Sequence, residues 1–289
     1  MKNRRSMLFM PGNNPGMLVS ADILGADSII YDLEDAVSLD EKDSARTLVR
    51  NALSFLEFTH SEITVRINPI DSPYWEKDLE AVIPVLPDGI VIPKASVDAV
   101  HSVEQKINEL KKTNGIKKTF RLLMLVESAS GIMDINSIAK ASASIEALLL
   151  GGEDYSVGMG IQRTRLSKEL EYARFSLTTA AHAHGLDSLD TPFTDVDDFE
   201  GLRLDTAFSK SIGFSGRLVI NPRQIEEIHA LFSPSNSEIE RALAILSAAE
   251  EAKKNGLGVF SFKGKMVDLP VIKRAEALVN SARAWGLIK

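Results

Sequence analysis

Along the 289-residue chain, short apolar runs typical of buried strands alternate with longer stretches whose apolar positions recur at helical spacing. The pattern predicts eight strands, at residues 6–10, 28–34, 63–68, 89–94, 121–127, 145–152, 187–191 and 216–221. It predicts helices between them, for example at residues 42–56, 97–112, 167–184 and 198–213. This alternation is typical of a parallel sheet covered by helices, because the connection between two parallel strands needs room for a helix.

Eight strands, each followed by a helix, favour a closed (β/α)₈ TIM barrel over the alternative, an open doubly wound sheet. We expect the barrel to occupy residues 1–223. Residues 224–289 contain more helical pattern than one closing helix requires. We therefore expect a C-terminal helical extension that packs outside the barrel or onto a neighbouring subunit.

Composition narrows the class of function. The net charge is −7 and the isoelectric point is near 5.4, without a long lysine or arginine run, so neither nucleic acid nor an anionic membrane is a predicted partner. The absence of cysteine excludes disulfides, thiolate metal sites and a cysteine nucleophile, and is compatible with a reducing compartment. No secretory signal and no apolar run of about 18 residues is evident, so the cytoplasm is the expected location.

Polar side chains gather at the predicted carboxyl ends of six strands. In a barrel the loops after the strands meet at one mouth, where active sites lie. The residues at these ends are Asp32, Glu34, Asp35, Arg66, Asn68, Lys94, Glu127, Glu153, Asp154, Asn221 and Arg223. Each alone is most simply a solvated loop residue or a helix cap, but their coincidence at one rim favours a site.

Two of these acids, Glu127 and Asp154, lie one βα unit apart. A barrel places them on neighbouring strands at the same level, close enough to share a cation. Hard oxygen ligands, without histidine at any strand end, suit Mg²⁺ or Mn²⁺ better than zinc. Glu127 and Asp154 are therefore the predicted metal ligands. Surface or packing roles are expected for the histidines, which fall in helical patterns or a turn: His60, His101, His182, His184 and His229.

Three cationic side chains, those of Lys42, Arg46 and Lys94, allow other functional interpretations. Lys94 ends the fourth strand and could form a Schiff base, as in metal-free aldolases, although the acid pair favours the metal route. Lys42 and Arg46 are four residues apart and share a predicted helix face. That face could bind the phosphates of a CoA-like carrier, or it could simply be solvated.

Short motifs spread in order over nearly the whole chain: RRSMLFMPGN, IIYDLEDAVSLDEKDSAR, VRIN, VIPK, LVES, GGEDY, LVINPRQI and GKMVDLPVIKRA. Together they resemble the citrate lyase β-like enzymes of the HpcH/HpaI aldolase superfamily. That family includes the citrate lyase β chain and the citramalyl-CoA, malyl-CoA and citryl-CoA lyases. The resemblance implies a magnesium-dependent (β/α)₈ barrel, commonly trimeric, that cleaves a carbon–carbon bond of a 3-hydroxyacyl thioester.

The same resemblance implies roles for individual residues. Glu127 of LVES and Asp154 of GGEDY match the magnesium ligands, and Arg66 of VRIN matches the substrate-binding arginine. Glu127 and Asn221 are also expected to contact substrate. Asp268 of GKMVD matches an acid that, in family members with a C-terminal lid, reaches a neighbouring subunit's site. It is therefore the candidate acid/base, although an aspartate before Leu-Pro also suits a helix N-cap.

The choice of substrate rests on residues 220–225, INPRQI, which resemble the citrate lyase β chain, whereas many stand-alone relatives have histidine at Asn221. This favours cleavage of a citryl thioester to oxaloacetate and an acetyl thioester. The thioester would then sit on a separate acyl-carrier γ subunit, with an α chain exchanging acyl groups. A stand-alone citramalyl-CoA or malyl-CoA lyase would use free CoA. A thioester-independent 2-keto acid aldolase and a non-catalytic assembly subunit stay open as rivals.

Overall fold

The structure, a computed structural model, describes residues 4–288. Its main feature is a closed barrel of parallel strands in sequence order: β1 (Ser6–Pro11), β2 (Ser28–Asp32), β3 (Glu62–Arg66), β4 (Gly89–Ile92), β5 (Arg121–Val126), β6 (Ile145–Leu150), β7 (Asp187–Asp190) and β8 (Gly216–Val219). Pairing of β1 with β8, in which Leu8 lies opposite Val219, closes the sheet. The predicted (β/α)₈ barrel is confirmed, and the open doubly wound sheet is wrong.

Helices follow the strands and cover the barrel: α1 (Pro15–Ser20), α2 (Lys42–Phe55), α3 (Trp75–Val82), α4 (Val97–Asn114), α5 (Ala129–Met133), α6 (Ile135–Ala139), α7 (Gly152–Met159), α8 (Glu171–His184), α9 (Phe199–Ser211), α10 (Ile225–Phe232), α11 (Asn236–Lys254) and α12 (Leu269–Ala284). Asn14 caps α1 by accepting a hydrogen bond from the Met17 amide, and Pro15 takes the first helical position, where its missing N–H costs nothing. No helix in the described part of the chain is both long and apolar enough to cross a membrane.

The barrel interior is packed with apolar side chains from alternate strand positions: Met7, Phe9, Ile30, Val91, Leu123, Leu125, Ala147, Leu149, Leu189 and Leu218. Successive side chains of a strand point to opposite faces, so every second residue shares the interior. Asp32 is two positions beyond Ile30, and Glu127 is two positions beyond Leu125. The apolar core therefore ends in a layer of acids at the carboxyl mouth.

A buried ionic network lies between the barrel and its helices. Arg174 on α8 donates to both carboxylate oxygens of Asp205 on α9, at 2.9 and 2.8 Å, and its Nε donates to Asp190 on β7 at 3.1 Å. Arg217 on β8 also donates to Asp205, and to Thr206 at 3.0 Å. Burial alone raises the pKa of Asp205, but the two arginines outweigh it and hold that pKa at about 2.

The described chain divides into two compact units, residues 4–229 and residues 230–288. In the second, α11 and α12 pack around Ala242, Ile245, Val267, Ala275 and Val279. The predicted helical character of this region is confirmed. A hairpin of β9 (Phe260–Phe262) and β10 (Lys265–Val267) was not predicted. Its connecting residues, Lys263 and Gly264, both have positive φ, as a two-residue hairpin turn requires. The boundary at 223/224 and the lid stay predictions.

Candidate active site at the carboxyl mouth of the barrel

A cavity of about 380 Å³ opens at the carboxyl ends of the strands. Its walls are formed by Phe9, Asp32, Asp35, Ala36, Arg66, Leu125, Glu127, Gly151, Gly152, Glu153, Asp154, Thr191, Pro192, Leu218 and Ile220. The structure thus brings three predicted site residues, Arg66, Glu127 and Asp154, to one cavity. Acids dominate its polar lining, and among the described residues that line it Arg66 alone is a cation, so the cavity suits a ligand that brings positive charge.

Arg66 is the last residue of β3, and its side chain is held rigidly. Its Nε and Nη2 donate to the two carboxylate oxygens of Asp32, at 2.7 and 2.5 Å, and Nη1 donates to Asp35 at 3.3 Å. The guanidinium carbon lies 4.9 Å from the centre of the Phe9 ring. These bonds engage three of the five N–H groups of a guanidinium. One N–H on each terminal nitrogen makes no hydrogen bond within the described residues, although Glu34 also lies 2.8 Å from Nη1.

Glu34 lies on the other side of the same guanidinium. Its Oε2 is 2.8 Å from Arg66 Nη1 but makes no hydrogen bond within the described residues. Burial, together with the carboxylates of Asp35, Glu127 and Asp32, raises the pKa of Glu34 to about 8, even though Arg66 lowers it. At pH 7 this carboxyl therefore holds a proton far more often than an ordinary glutamate does.

Glu127 follows β5 directly and is only 6% exposed. Its Oε1 accepts a hydrogen bond from the backbone N–H of Lys94 at 2.7 Å, which fixes the carboxylate. Burial, supported by the nearby Asp154 carboxylate and opposed by the Lys94 N–H, raises the pKa of Glu127 to about 7. The charge of Asp154 therefore acts on Glu127, as expected where two acids could share one cation.

Glycines allow the chain to pass close to Glu127. A Cβ on Gly151 would lie 2.5 Å from the Cβ of Glu127 and 2.8 Å from its Oε2. A Cβ on Gly152 would lie 2.6 Å from Thr191 Oγ1, which accepts a hydrogen bond from the Gly152 N–H at 3.0 Å. Glycine is therefore required at both positions, because the loop after β6 packs closely against the loops after β5 and β7.

Glu153 and Asp154 were predicted at a strand end, but both lie in the first turn of α7. There the partial positive charge of the helix N-terminus favours a carboxylate. Glu153 Oε1 lies 2.5 Å from Arg163 Nη1, so Glu153 already has a cationic partner, which it shares with Glu169. Asp154 has no ion pair with any residue between 4 and 288, which leaves its carboxylate available to a cation.

The cavity fits a magnesium ion better than a zinc ion. Among residues 4–288, no group of three or more histidine, cysteine, aspartate or glutamate side chains could hold a metal. Mg²⁺ commonly takes one or two carboxylates and completes its octahedron with water and substrate oxygens, whereas catalytic zinc needs three protein ligands. Glu127 and Asp154 are the carboxylates that could hold Mg²⁺, and a cation relieves the repulsion between them.

The solvated face offered as one alternative for Lys42 and Arg46 is wrong. The two side chains do share one face of α2, but that face is buried. Lys42 Nζ donates to the carbonyl oxygens of Leu33 and Glu34, and Arg46 Nε donates to Asp78 at 3.0 Å. Internal acceptors thus bind both side chains, although Arg46 Nη2 makes no hydrogen bond within the described residues, and binding of carrier phosphates by this pair stays a prediction.

Asn221 and Lys94 also lie outside the cavity lining. Asn221 follows β8, and its Oδ1 accepts from the Arg223 amide at 3.0 Å and caps a short turn, so the expected substrate contact stays a prediction. Lys94 Nζ lies 3.7 Å from Asp71, and the Lys94 side chain is 57% exposed, so its amine lacks the burial that activates a Schiff-base lysine. Asp268 caps α12 by accepting from the Val271 amide at 3.2 Å.

Sequence reasoning gave no role to Asp32, Phe9 or Thr191. Asp32 is the principal partner of Arg66, Phe9 lies under the guanidinium, and Thr191 fixes the start of α7. The alternation along β1 and β2 already pointed Phe9 and Asp32 inward, so a strand-by-strand count could have found them. The contact of Thr191 with Gly152 joins two loops far apart in sequence and has no local signal.

Comparison with known proteins assigns the family. The model of the family described as HpcH/HpaI aldolase/citrate lyase matches residues 5–222. Citrate lyase subunit beta from Leuconostoc mesenteroides subsp. cremoris is 42% identical over 287 residues, which are 99% of this chain and 95% of that relative. L-malyl-CoA/beta-methylmalyl-CoA lyase from Rhodobacter capsulatus is 32% identical over 302 residues, covering 96% of this chain and 94% of that relative.

A solved structure agrees with these relatives. The crystal structure of the protein CitE from Mycobacterium tuberculosis in complex with magnesium, acetoacetate and coenzyme A has a TM-score of 0.80 and 27% identity. The match covers 96% of this chain and 98% of that one. The resemblance drawn from the motifs is confirmed, and this chain belongs to the HpcH/HpaI aldolase/citrate lyase family.

Proposed function

We propose that this chain is a magnesium-dependent lyase that cleaves a citryl thioester to oxaloacetate and an acetyl thioester. The observation that carries the proposal is one cavity holding the paired acids Glu127 and Asp154 beside the fixed guanidinium of Arg66. Identity of 42% to a citrate lyase subunit beta over almost the whole chain supports the citryl group.

The reaction makes two demands. The hydroxyl proton must leave as the C2–C3 bond breaks and a ketone forms, and the thioester enolate that carries the released electron pair must gain a proton at carbon. Magnesium, when bound, supplies Lewis-acid chemistry toward the hydroxyl and an adjacent carboxylate. Glu127 and Asp154 supply carboxylates of fixed position for that ion. Arg66 pairs its two remaining N–H groups with a substrate carboxylate or with the thioester oxygen.

Asp268 is the proposed acid/base. Its match to the GKMVD motif supports this role. Only its Oδ1 is used in capping α12, so Oδ2 is left for proton transfer. In the proposed assembly, a homotrimer, the segment with Asp268 forms a lid over a neighbouring subunit's cavity. The cytoplasm is the proposed compartment, since a cysteine-free chain is compatible with reducing conditions.

The carrier of the acyl group separates two versions of the proposal. In the favoured version an acyl-carrier γ subunit presents the thioester and an α subunit exchanges acyl groups. The 32% identical L-malyl-CoA/beta-methylmalyl-CoA lyase supports a second candidate, a stand-alone malyl-CoA or citramalyl-CoA lyase that uses free CoA.

An assay of the purified chain against several substrates tests the proposal. We expect citryl-CoA to be cleaved to oxaloacetate with Mg²⁺, faster than malyl-CoA or citramalyl-CoA, and not at all after EDTA treatment. Faster cleavage of malyl-CoA or citramalyl-CoA would favour the stand-alone lyase. Cleavage of a 4-hydroxy-2-keto acid without a thioester would favour an aldolase, and no turnover of any substrate would favour a non-catalytic assembly subunit.

A further inference from the structure

Lys42 is a buried cation under the loop that follows β2. It is 6% exposed, and its Nζ donates to Leu33 O at 2.8 Å and to Glu34 O at 2.6 Å. An ammonium taken out of water is costly unless its N–H groups find acceptors. Two consecutive carbonyls provide them here, so the position of this loop and the burial of Lys42 depend on each other.

A second buried donor holds the same loop. Asn68 Nδ2 donates to Leu33 O at 2.9 Å and to Asp78 Oδ2 at 2.7 Å. Asp78 in turn accepts from the Asn68 amide at 2.9 Å and from Arg46 Nε at 3.0 Å. The Leu33 carbonyl is therefore held from two sides by a buried polar network that reaches α2 and α3.

The loop held in this way carries the carboxylates around Arg66. Asp32 accepts from the amides of Glu34, at 2.8 Å, and Ala36, at 3.1 Å, while both its oxygens bind Arg66. Glu34 and Asp35 approach the same guanidinium from the loop itself, at 2.8 and 3.3 Å. A shift of the Leu33 and Glu34 carbonyls therefore moves the groups that orient Arg66.

We propose that Lys42 is a positioning residue for substrate binding. It fixes the loop at residues 33–36 and, through that loop, the guanidinium plane of Arg66. Lys42 is not part of the cavity wall, and neither of its hydrogen bonds involves Glu127 or Asp154. The identity of the substrate that Arg66 binds rests on the proposed function, whereas the control of the loop by Lys42 does not.

Hydrogen exchange on the full ligand-free chain tests the first step. In Lys42→Met we expect the amides of residues 33–38 to exchange about tenfold faster, the effect of losing one buried hydrogen bond. The matched control is Lys106→Met, because Lys106 is also a mostly buried lysine with two oxygen partners, Glu76 at 3.0 Å and Glu80 at 2.8 Å, away from the cavity. It should leave residues 33–38 unchanged.

Kinetics with citryl-CoA and Mg²⁺ test the second step. We expect Lys42→Met to lower kcat/KM about 10- to 100-fold, mainly through KM, since a misplaced binding group costs about this much. Mn²⁺ affinity should stay within about twofold of the unsubstituted chain, because the proposed metal ligands, Glu127 and Asp154, are not part of the loop at residues 33–36. Lys42→Arg keeps the charge and two donors, so it should recover much of both effects.

Unchanged exchange at residues 33–38 in a folded Lys42→Met chain would overturn the proposal, as would kinetic constants equal to those of Lys106→Met. If Lys42→Met does not fold, Lys42→Gln decides: it keeps one donor group and loses the charge, so faster exchange at residues 33–38 and a raised KM are still expected, and unchanged values of both would overturn the proposal. If the unsubstituted chain cleaves no thioester, the proposed function fails, and the exchange measurement alone then decides whether Lys42 fixes the loop.

Discussion

Arg66 and Asp32 form a two-pronged ion pair across neighbouring strands. Nε and Nη2 of the arginine lie 2.7 and 2.5 Å from the two carboxylate oxygens, and the two residues are direct partners in the register of β2 and β3. Such a pair fixes both the position and the plane of a guanidinium. Arg66 is therefore oriented by the protein before any substrate arrives.

Replacing Arg66 by lysine should reduce kcat/KM by about 100-fold or more, because an ammonium cannot hold Asp32 with one edge and a substrate carboxylate with the other. Steady-state kinetics with citryl-CoA measure this loss. Arg203→Lys is the control, since Arg203 makes a similar two-pronged pair with Glu227, at 2.7 and 2.6 Å, on an exposed helix face. An Arg66→Lys chain as active as Arg203→Lys would remove Arg66 from the site.

Adding one methyl group at Gly151 should weaken metal binding. The new Cβ would meet Glu127 Cβ at 2.5 Å and Oε2 at 2.8 Å, so the carboxylate must move. We expect Gly151→Ala to weaken Mn²⁺ binding at least about tenfold, the effect of losing one charged ligand contact. Gly158→Ala on α7 is the control, because nothing lies within 4 Å of its added Cβ. Equal Mn²⁺ affinities of the two variants would contradict the role of Glu127.

Many of the cavity residues can be predicted from the alternation of inward-facing and outward-facing positions along the strands. The eight apolar runs predict the strand order, and each predicted strand matches an observed one to within one residue at its start and two at its end. Five predicted strands, 28–34, 63–68, 89–94, 145–152 and 216–221, end two residues too late. In three of them Leu33, Ile67 and Ile220 continue the apolar pattern after the strand has ended. Arg66 and Glu127 could be placed because each continues an inward-facing alternation.

Contacts between distant segments could not be predicted in this way. Lys42 and Arg46 have the spacing of a solvated helix face, and only the folded barrel supplies their acceptors, Asp78 on α3 and the carbonyls of the loop after β2. Asn221 likewise follows a strand at the mouth, yet its side chain accepts a hydrogen bond within a local turn. The local sequence pattern predicts the element on which a side chain lies, whereas its hydrogen-bond partners come from segments far away in sequence.

The observed capping role of Asp268 and its proposed acid/base role can be separated by two substitutions. Serine caps helices almost as well as aspartate, so Asp268→Ser should keep the stability of α12 and yet lose thioester cleavage, because a hydroxyl does not exchange protons near pH 7. Asp268→Ala should lose both, with a stability cost of about 1 kcal/mol. Turnover and urea unfolding measure the two effects, and an active Asp268→Ser would restrict Asp268 to capping.

Acid should weaken the network around Asp205. Its pKa of about 2 lies below the ordinary value of 3.8, so its stabilising contribution is complete above pH 4 and is lost as the pH falls toward 2. The difference in unfolding free energy between the unsubstituted chain and Asp205→Asn should shrink by about 2 kcal/mol over that range. Asp197→Asn, which breaks only a surface pair with Arg223, should change stability by less than about 1 kcal/mol.

For that network, urea unfolding at pH 6, 4 and 2 provides the comparison. A constant gap between the unsubstituted chain and Asp205→Asn across these pH values would show that Asp205 does not titrate with the network. The contribution of the two arginines to its depressed pKa would then be smaller than the structure indicates.

We propose, as the central claim, that Glu127 and Asp154 hold the divalent ion and that the neighbouring cavity acid Glu153 does not. The most direct test is calorimetric titration of Mn²⁺ into Glu127→Gln, Asp154→Asn and Glu153→Gln, each checked for unchanged folding. Glu153 lines the same cavity, but Arg163 is already its cationic partner. We predict that Glu153→Gln binds Mn²⁺ like the unsubstituted chain, while the other two bind it at least about 100-fold more weakly. Full Mn²⁺ affinity in either Glu127→Gln or Asp154→Asn would contradict the account.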